Sequence, residues 1–217
     1  MLNFYIDTAL REKAEPLLQS GQVMGLTTNP TILERGGQTL ADLPSIYEWA
    51  TAAGAREVFF QTYGDTANEL VENGRRLHGI GERSVIKVAA NRAGFEATAA
   101  LRALGIPVLV TAVYNAVQAT LATSLNAEYI APYFGRMNDQ GRPAFDEILR
   151  MQQVIEASGS ETRLLVASLR SPQDIVSLSE QGVTHYAIPV PVFENLYTEP
   201  LTDGAITDFD AAITRLG

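Results

Sequence analysis

The chain has 217 residues and a formal net charge of -9, from 16 basic and 25 acidic residues. That balance argues against nucleic acid or an anionic membrane as a partner, because either needs a broad basic face. The lack of cysteine removes disulfides, thiolate nucleophiles and zinc ribbons from consideration.

The length and the 46% hydrophobic content suit one large core, so a single domain over residues 1–217 is the expectation. The opening residues, Met1 to Asp7, lack a basic region followed by a long apolar stretch, and the expected location is the cytoplasm. His78 and His185 are the only histidines, too few and too far apart to begin a histidine-rich metal centre.

Short β-branched apolar runs alternate with longer segments of helical spacing. In chain order the predicted strands cover residues 3–7, 23–27, 57–61, 85–89, 107–111, 128–131, 164–168 and 185–188. Between them, Ala97, Ala100, Leu101 and Leu104 recur at spacings of three and four, as do Ile148, Met151 and Ile155. Each set predicts a helix burying one face. Ser171-Pro172-Gln173-Asp174 offers a capping hydroxyl, a proline at the first helical position and an acidic first turn, while Asp65 and Thr207 are further candidate caps. Eight such units predict an α/β fold, a single (β/α)8 TIM barrel closed by a short C-terminal helix over residues 206–216. An open doubly wound sheet is the alternative. It should show a glycine-rich turn after the first strand, where Asp7-Thr8-Ala9-Leu10 has none.

Barrels of this kind carry their sites at the carboxyl ends of the strands. Here Asp7 ends the first run, Thr27-Thr28-Asn29-Pro30 follows the second, Gln61 ends the third, Lys87 lies on the fourth and Thr111 ends the fifth. Tyr133 and Arg136 follow the sixth, and Ser168 and Arg170 close the seventh. Asp7 or Ser168 alone could simply cap a helix, and Thr-Asn-Pro is common turn chemistry. Their convergence on one rim is what suggests a catalytic constellation.

Lys87 is the sharpest signal. The chain holds 14 arginines and two lysines, and one lysine sits inside Ser84-Val85-Ile86-Lys87-Val88-Ala89-Ala90, a strand-like apolar run. Burial disfavours the charged amine and frees a nucleophile near neutral pH, a chemistry that arginine cannot supply. An isolated lysine at a strand end can also be a paired or snorkelling structural residue. If it points inward, Asp7 either pairs with it or accepts protons beside it, and the sequence leaves that balance open. Arg136 and Arg170, with Ser168 and the helix start near Ser171, form a candidate phosphate site.

Several segments together resemble the transaldolase family over nearly the whole chain: Phe4-Tyr5-Ile6-Asp7-Thr8, Gly25-Leu26-Thr27-Thr28-Asn29-Pro30-Thr31, Val85-Ile86-Lys87-Val88, Thr111-Ala112-Val113-Tyr114, Tyr129-Ile130-Ala131-Pro132-Tyr133 with Arg136, and Ala167-Ser168-Leu169-Arg170. Gln61 and Tyr133 stand where transaldolases usually carry glutamate and phenylalanine, which resembles the short subgroup containing fructose-6-phosphate aldolase. The resemblance implies a Schiff-base aldolase in which Lys87 attacks dihydroxyacetone or hydroxyacetone, and the resulting enamine adds to glyceraldehyde 3-phosphate. Cleavage of fructose 6-phosphate is the reverse.

By the same resemblance, Gln61, Thr111 and Tyr133 hold a proton-transferring water, while Asp7 and Asn29 bind donor hydroxyls; Thr27 is a further candidate substrate-binding residue. Ser168, Arg136 and Arg170 would hold the acceptor phosphate. No metal or other cofactor is implied. A ring-shaped homo-oligomer, a pentamer or decamer, is expected, with the terminal helix making contacts between subunits. The competing expectations are a transaldolase, which passes the three-carbon unit directly to another sugar phosphate, and a non-catalytic sugar-phosphate-binding barrel.

Overall fold

A computed structural model describes residues 1–217. Eight parallel strands close into a barrel in sequence order: β1 (Asn3–Asp7), β2 (Gly25–Thr27), β3 (Glu57–Gln61), β4 (Ser84–Ala89), β5 (Val108–Val113), β6 (Tyr129–Pro132), β7 (Arg163–Val166) and β8 (His185–Pro189). β8 returns to pair with β1. The surrounding helices are α1 (Arg11–Gln19), α2 (Pro30–Arg35), α3 (Leu43–Ala52), α4 (Ala67–His78), α5 (Arg92–Ala103), α6 (Ala116–Ser124), α7 (Phe134–Asp139), α8 (Ala144–Ala157), α9 (Pro172–Ser179), α10 (Val190–Glu194) and α11 (Pro200–Leu216). The expected TIM barrel is therefore the observed one.

Strand alternation divides the apolar residues into two bodies. Ile6, Leu26, Val58, Phe60, Ile86, Val88 and their counterparts pack outward under the helices. Tyr5, Phe59, Val85, Leu109, Tyr129 and Leu165 fill the barrel interior. Gly25 opposes Glu57 in register, and a Cβ there would lie 2.2 Å from the Glu57 carbonyl oxygen, so only glycine lets these strands meet.

The floor of the interior is polar and paired. Tyr5 and Tyr129 donate to the Glu57 carboxylate at 2.6 and 2.9 Å, and Arg163 Nη1 donates to the Tyr129 hydroxyl at 2.8 Å. Burial and the Glu57 charge push both phenols above the ordinary tyrosine range.

Several expected boundaries shift for local reasons. The seventh strand ends at Val166 because Ser168 adopts a left-handed backbone, φ 62°, which cannot continue extended pairing. Thr66, with Glu69 completing a capping box, caps α4 in place of Asp65, whose own N–H donates to Glu69. Thr207 caps nothing: α11 begins at Pro200 behind Glu199, and the Thr207 hydroxyl donates back to the Asp203 carbonyl inside the helix. On α5, Ala97 and Leu101 are buried as expected, but Ala100 and Leu104 face solvent. Ser171 caps α9 through a capping box as predicted. No helix is long and apolar enough to cross a membrane.

Candidate active site

At the carboxyl end of the barrel, β1 delivers Asp7, and its register neighbour Thr27 donates from Oγ1 to Asp7 Oδ1 at 2.5 Å. β4 delivers Lys87 on the interior face, directly above Val85. Lys87 is only 5% exposed, and its Nζ donates to the Thr28 carbonyl at 2.7 Å. Burial pulls the lysine down from its ordinary value and pushes the Asp7 carboxyl up. Each effect is opposed by the other group's charge, and the Thr27 hydrogen bond further restrains Asp7.

β5 ends in a bulge around Ala112, φ 56°, where pairing with β6 slips between Thr111 and Val113. Across that slip Thr111 Oγ1 and the Tyr133 hydroxyl lie 3.0 Å apart in a hydrogen bond. Burial raises the Tyr133 phenol, with the Thr111 contact and Arg136 partly offsetting it, so the phenol holds its proton at neutral pH. The Arg136 guanidinium stacks over the Tyr133 ring, 4.9 Å from its centroid.

Ser168 stands at the end of β7 with its Oγ buried and without a partner in the protein. Its carbonyl accepts from the Gly135 N–H at 2.9 Å. A Cβ on Gly135 would lie 2.2 Å from that carbonyl oxygen, so glycine is what lets α7 approach the β7 loop. Arg170 donates from its backbone to Asp174 and pairs through Nη2 with Asp139, each within 2.9 Å.

Every residue of the expected site except Gln61 lines one cavity of about 420 Å³. Gln61 instead lines an adjoining cavity of about 470 Å³ beside Leu43 and Tyr63, and Asn29 borders both. Thr111 and Tyr133 are joined by their hydrogen bond, and Gln61 stands on β3 in register with Lys87.

Sequence reasoning missed Arg35. Asn29 caps α2 by accepting from the Ile32 N–H, Pro30 opens the helix, and Thr31, Ile32 and Arg35 then share the face that lines the cavity. That spacing of one, three and four residues was available as a signal.

A parallel α/β barrel with a buried lysine and carboxylate inside its carboxyl-terminal mouth defines the class of this protein. The family model "Transaldolase/Fructose-6-phosphate aldolase" matches residues 4–216, and the chain belongs to that family of enzymes. A probable transaldolase of Coprothermobacter proteolyticus is 31% identical over 212 residues, covering 96% of this chain and 94% of the relative. One from Methanococcus maripaludis is 32% identical over 208 residues, with coverage of 96% and 95%. Among solved structures, a mandelate oxidase aligns with a TM-score of 0.61 at 16% identity, over 87% of this chain and 64% of that one, a likeness of fold alone.

Proposed function

We propose that this chain is a Schiff-base aldolase that cleaves and forms ketose phosphates through an enamine on Lys87. The reading rests on one observation above all: a lysine that is 5% exposed, with a lowered pKa, on the wall of a cavity it shares with Asp7. The neutral Nζ adds to the ketone carbon, the carbonyl oxygen takes a proton, and loss of water leaves the iminium. In the cleavage direction the hydroxyl proton of the aldehyde fragment leaves to a base as the C–C bonding pair moves toward the iminium. Aldehyde departs, and the enamine is protonated on carbon and hydrolysed.

Asp7, with its raised pKa, serves the proton steps at the lysine and the carbonyl oxygen. The Thr111–Tyr133 pair serves those at the breaking bond, where a protonated phenol is the donor that phenylalanine cannot be. Thr27 and Asn29 bind the donor ketone. Arg136 and Ser168, with Arg170 behind them, hold the phosphate of the aldehyde. The proposed substrates are fructose 6-phosphate or a related ketose phosphate, giving dihydroxyacetone or hydroxyacetone with glyceraldehyde 3-phosphate.

The relatives' names favour a second reading, transfer of the three-carbon unit to another sugar phosphate. Incubation with fructose 6-phosphate alone separates the two. Release of free dihydroxyacetone supports the aldolase, and turnover only after erythrose 4-phosphate is added supports the transferase. Borohydride reduction in the presence of dihydroxyacetone tests the site itself: the expected product is an adduct on Lys87, and an unmodified Lys87 would favour a barrel that only binds sugar phosphates.

We also propose a homo-oligomer built through α11. This helix has no buried residue, and Leu201, Ile206, Phe209, Ile213 and Leu216 are exposed along it, four of them at spacings of three and four. Such a stripe calls for cover, and a second copy supplies it.

A further inference from the structure

We propose that Tyr114 is a positioning residue for proton transfer to carbon: its ring fixes the Tyr133 phenol, and its own backbone is clamped by two side chains outside the cavity. The inference rests on the role given above to the Thr111–Tyr133 pair and deepens it by naming what holds that pair in place.

A phenol that delivers a proton to one carbon has to be held closely, because a displacement of about 1 Å costs on the order of a hundredfold in rate. Thr111 Oγ1 meets the Tyr133 hydroxyl at 3.0 Å, which fixes the tip of the side chain but not the plane of its ring. The backbone that carries Thr111 offers little further restraint, since it leaves regular pairing at Ala112, φ 56°. Two groups settle the ring. The Arg136 guanidinium lies 4.9 Å from its centroid, and the Tyr114 ring meets it with centroids 5.8 Å apart and planes at 77°, the edge-to-face geometry that aromatic pairs favour. Arg136 lines the cavity and serves the phosphate as well. Tyr114 lies outside the cavity wall, so its contact is devoted to the ring and is not displaced by substrate.

Tyr114 is itself held at both backbone atoms. Its N–H donates to the Gln118 side-chain carbonyl at 2.8 Å, and its carbonyl accepts from Arg142 Nη1 at 3.2 Å. Asn115 caps α6 by accepting from the Gln118 N–H at 2.9 Å, which sets Gln118 in the first turn and within reach of Tyr114. The Gln118 amide then donates to the Ala90 carbonyl at 3.1 Å, just past the end of the strand that carries Lys87. One side chain of α6 thus ties the turn after the nucleophile to the turn that carries Tyr114, and the phenol is referenced to the lysine through it.

The test uses the intact protein and dihydroxyacetone alone. In D2O the ketone joins Lys87, a C–H bond beside the iminium breaks with its pair moving into the enamine and its proton leaving to a base, and deuterium returns to that carbon before hydrolysis. NMR of the recovered ketone reads this exchange, whereas borohydride trapping reads only the earlier joining to Lys87. Tyr114→Leu is expected to slow exchange about tenfold while leaving the trapping rate within about twofold of wild type. Tyr114→Phe, which keeps the ring, is expected to bring exchange back to within about twofold of wild type. In a Tyr133→Phe background Tyr114→Leu is expected to cost less than about twofold more, because its effect passes through the phenol. Exchange unchanged in Tyr114→Leu, or as slow in Tyr114→Phe as in Tyr114→Leu, overturns the proposal. Exchange and trapping slowed equally, or a full additional loss in the Tyr133→Phe background, also overturns it, since either marks a general packing role. A wild-type protein with no adduct on Lys87 refutes the Schiff-base reading, and Tyr133→Phe exchanging at the wild-type rate removes the Thr111–Tyr133 pair from the proton step; both are distinguishable from a failure confined to Tyr114.

Discussion

Ser168→Ala should make the free protein more stable and a worse enzyme. The Ser168 Oγ is buried and without a protein partner, and a buried hydroxyl left unpaired costs about 1–3 kcal/mol. Alanine removes that penalty and keeps the left-handed backbone at φ 62°, whose strain of about 1–2 kcal/mol is common to both proteins and cancels. A gain of about 1 kcal/mol is expected, which for a chain of this size raises Tm by roughly 2–4 °C. The same hydroxyl would donate to a phosphate oxygen, a charge-assisted bond of about 1.5–3 kcal/mol, so KM for a phosphorylated aldehyde should rise roughly 10- to 100-fold. KM for unphosphorylated glyceraldehyde should rise less. Urea unfolding and steady-state kinetics with the two aldehydes measure both halves. A variant less stable than wild type by more than about 1 kcal/mol would show that the hydroxyl is satisfied in the free protein. Equal KM changes for both aldehydes would remove Ser168 from the phosphate site.

Lys87→Met should give no borohydride adduct yet remain at least as stable as wild type at neutral pH, because it deletes a buried charge; a large loss of stability in urea would refute the burial argument. The lysine's folded-state pKa lies below its unfolded value, so the unfolded chain binds more protons between the two, and stability should rise with pH across that window in wild type and flatten in Lys87→Met. The rate of trapping should rise with pH along a limb below the ordinary lysine range, and Asp7→Asn should move that limb to still lower pH, since the Asp7 charge supports the ammonium form; a limb moving upward would contradict the assignment. At the barrel floor, burial and the Arg163 charge push His185 down to about 4, so the unfolded chain binds more protons between about 4 and 6.5. Stability should therefore fall as pH drops through that interval, and urea midpoints of His185→Gln should lose the slope. Phe209→Asp, placed on the exposed stripe of α11, should yield smaller particles by light scattering with the barrel still folded; unchanged mass would remove α11 from the subunit interface.

Strand positions were legible because burial on both faces of a parallel barrel leaves short, β-branched, apolar runs that polar residues end. Lys87 and Asp7 could be paired from that pattern alone, since each interrupts or ends a run at the same rim. What was hidden depended on the third dimension. Gln61 carries the right residue type at the right strand end, in register with Lys87, but the cavity its side chain borders depends on the assembled barrel mouth. Arg35 was hidden inside a polar helical stretch, and its direction follows only from where the Asn29 cap starts α2. Caps were legible where a hydroxyl and a following acid formed a reciprocal box, as at Ser171, and misread where Asp65 stood one residue ahead of the threonine that takes the capping geometry. The bulge at Ala112, which brings Thr111 and Tyr133 together, has no sequence signature: alanine is a poor residue for a left-handed backbone, and tertiary packing imposes it.

The tuning of Lys87 begins two rows below it. Glu57 accepts from both Tyr5 and Tyr129, Arg163 donates to Tyr129, and this paired layer satisfies the polar atoms that would otherwise draw water into the barrel from beneath. Phe59, Val85, Leu109 and Leu165 can then pack between floor and lysine as an apolar interior. A lysine set on that layer meets solvent only from the cavity above, so its ammonium form is poorly hydrated however open the mouth is. Asp7 is the single counterweight. The nucleophile is therefore poised by a contest between burial above the floor and one carboxylate, and the floor contributes although none of its residues lines the cavity.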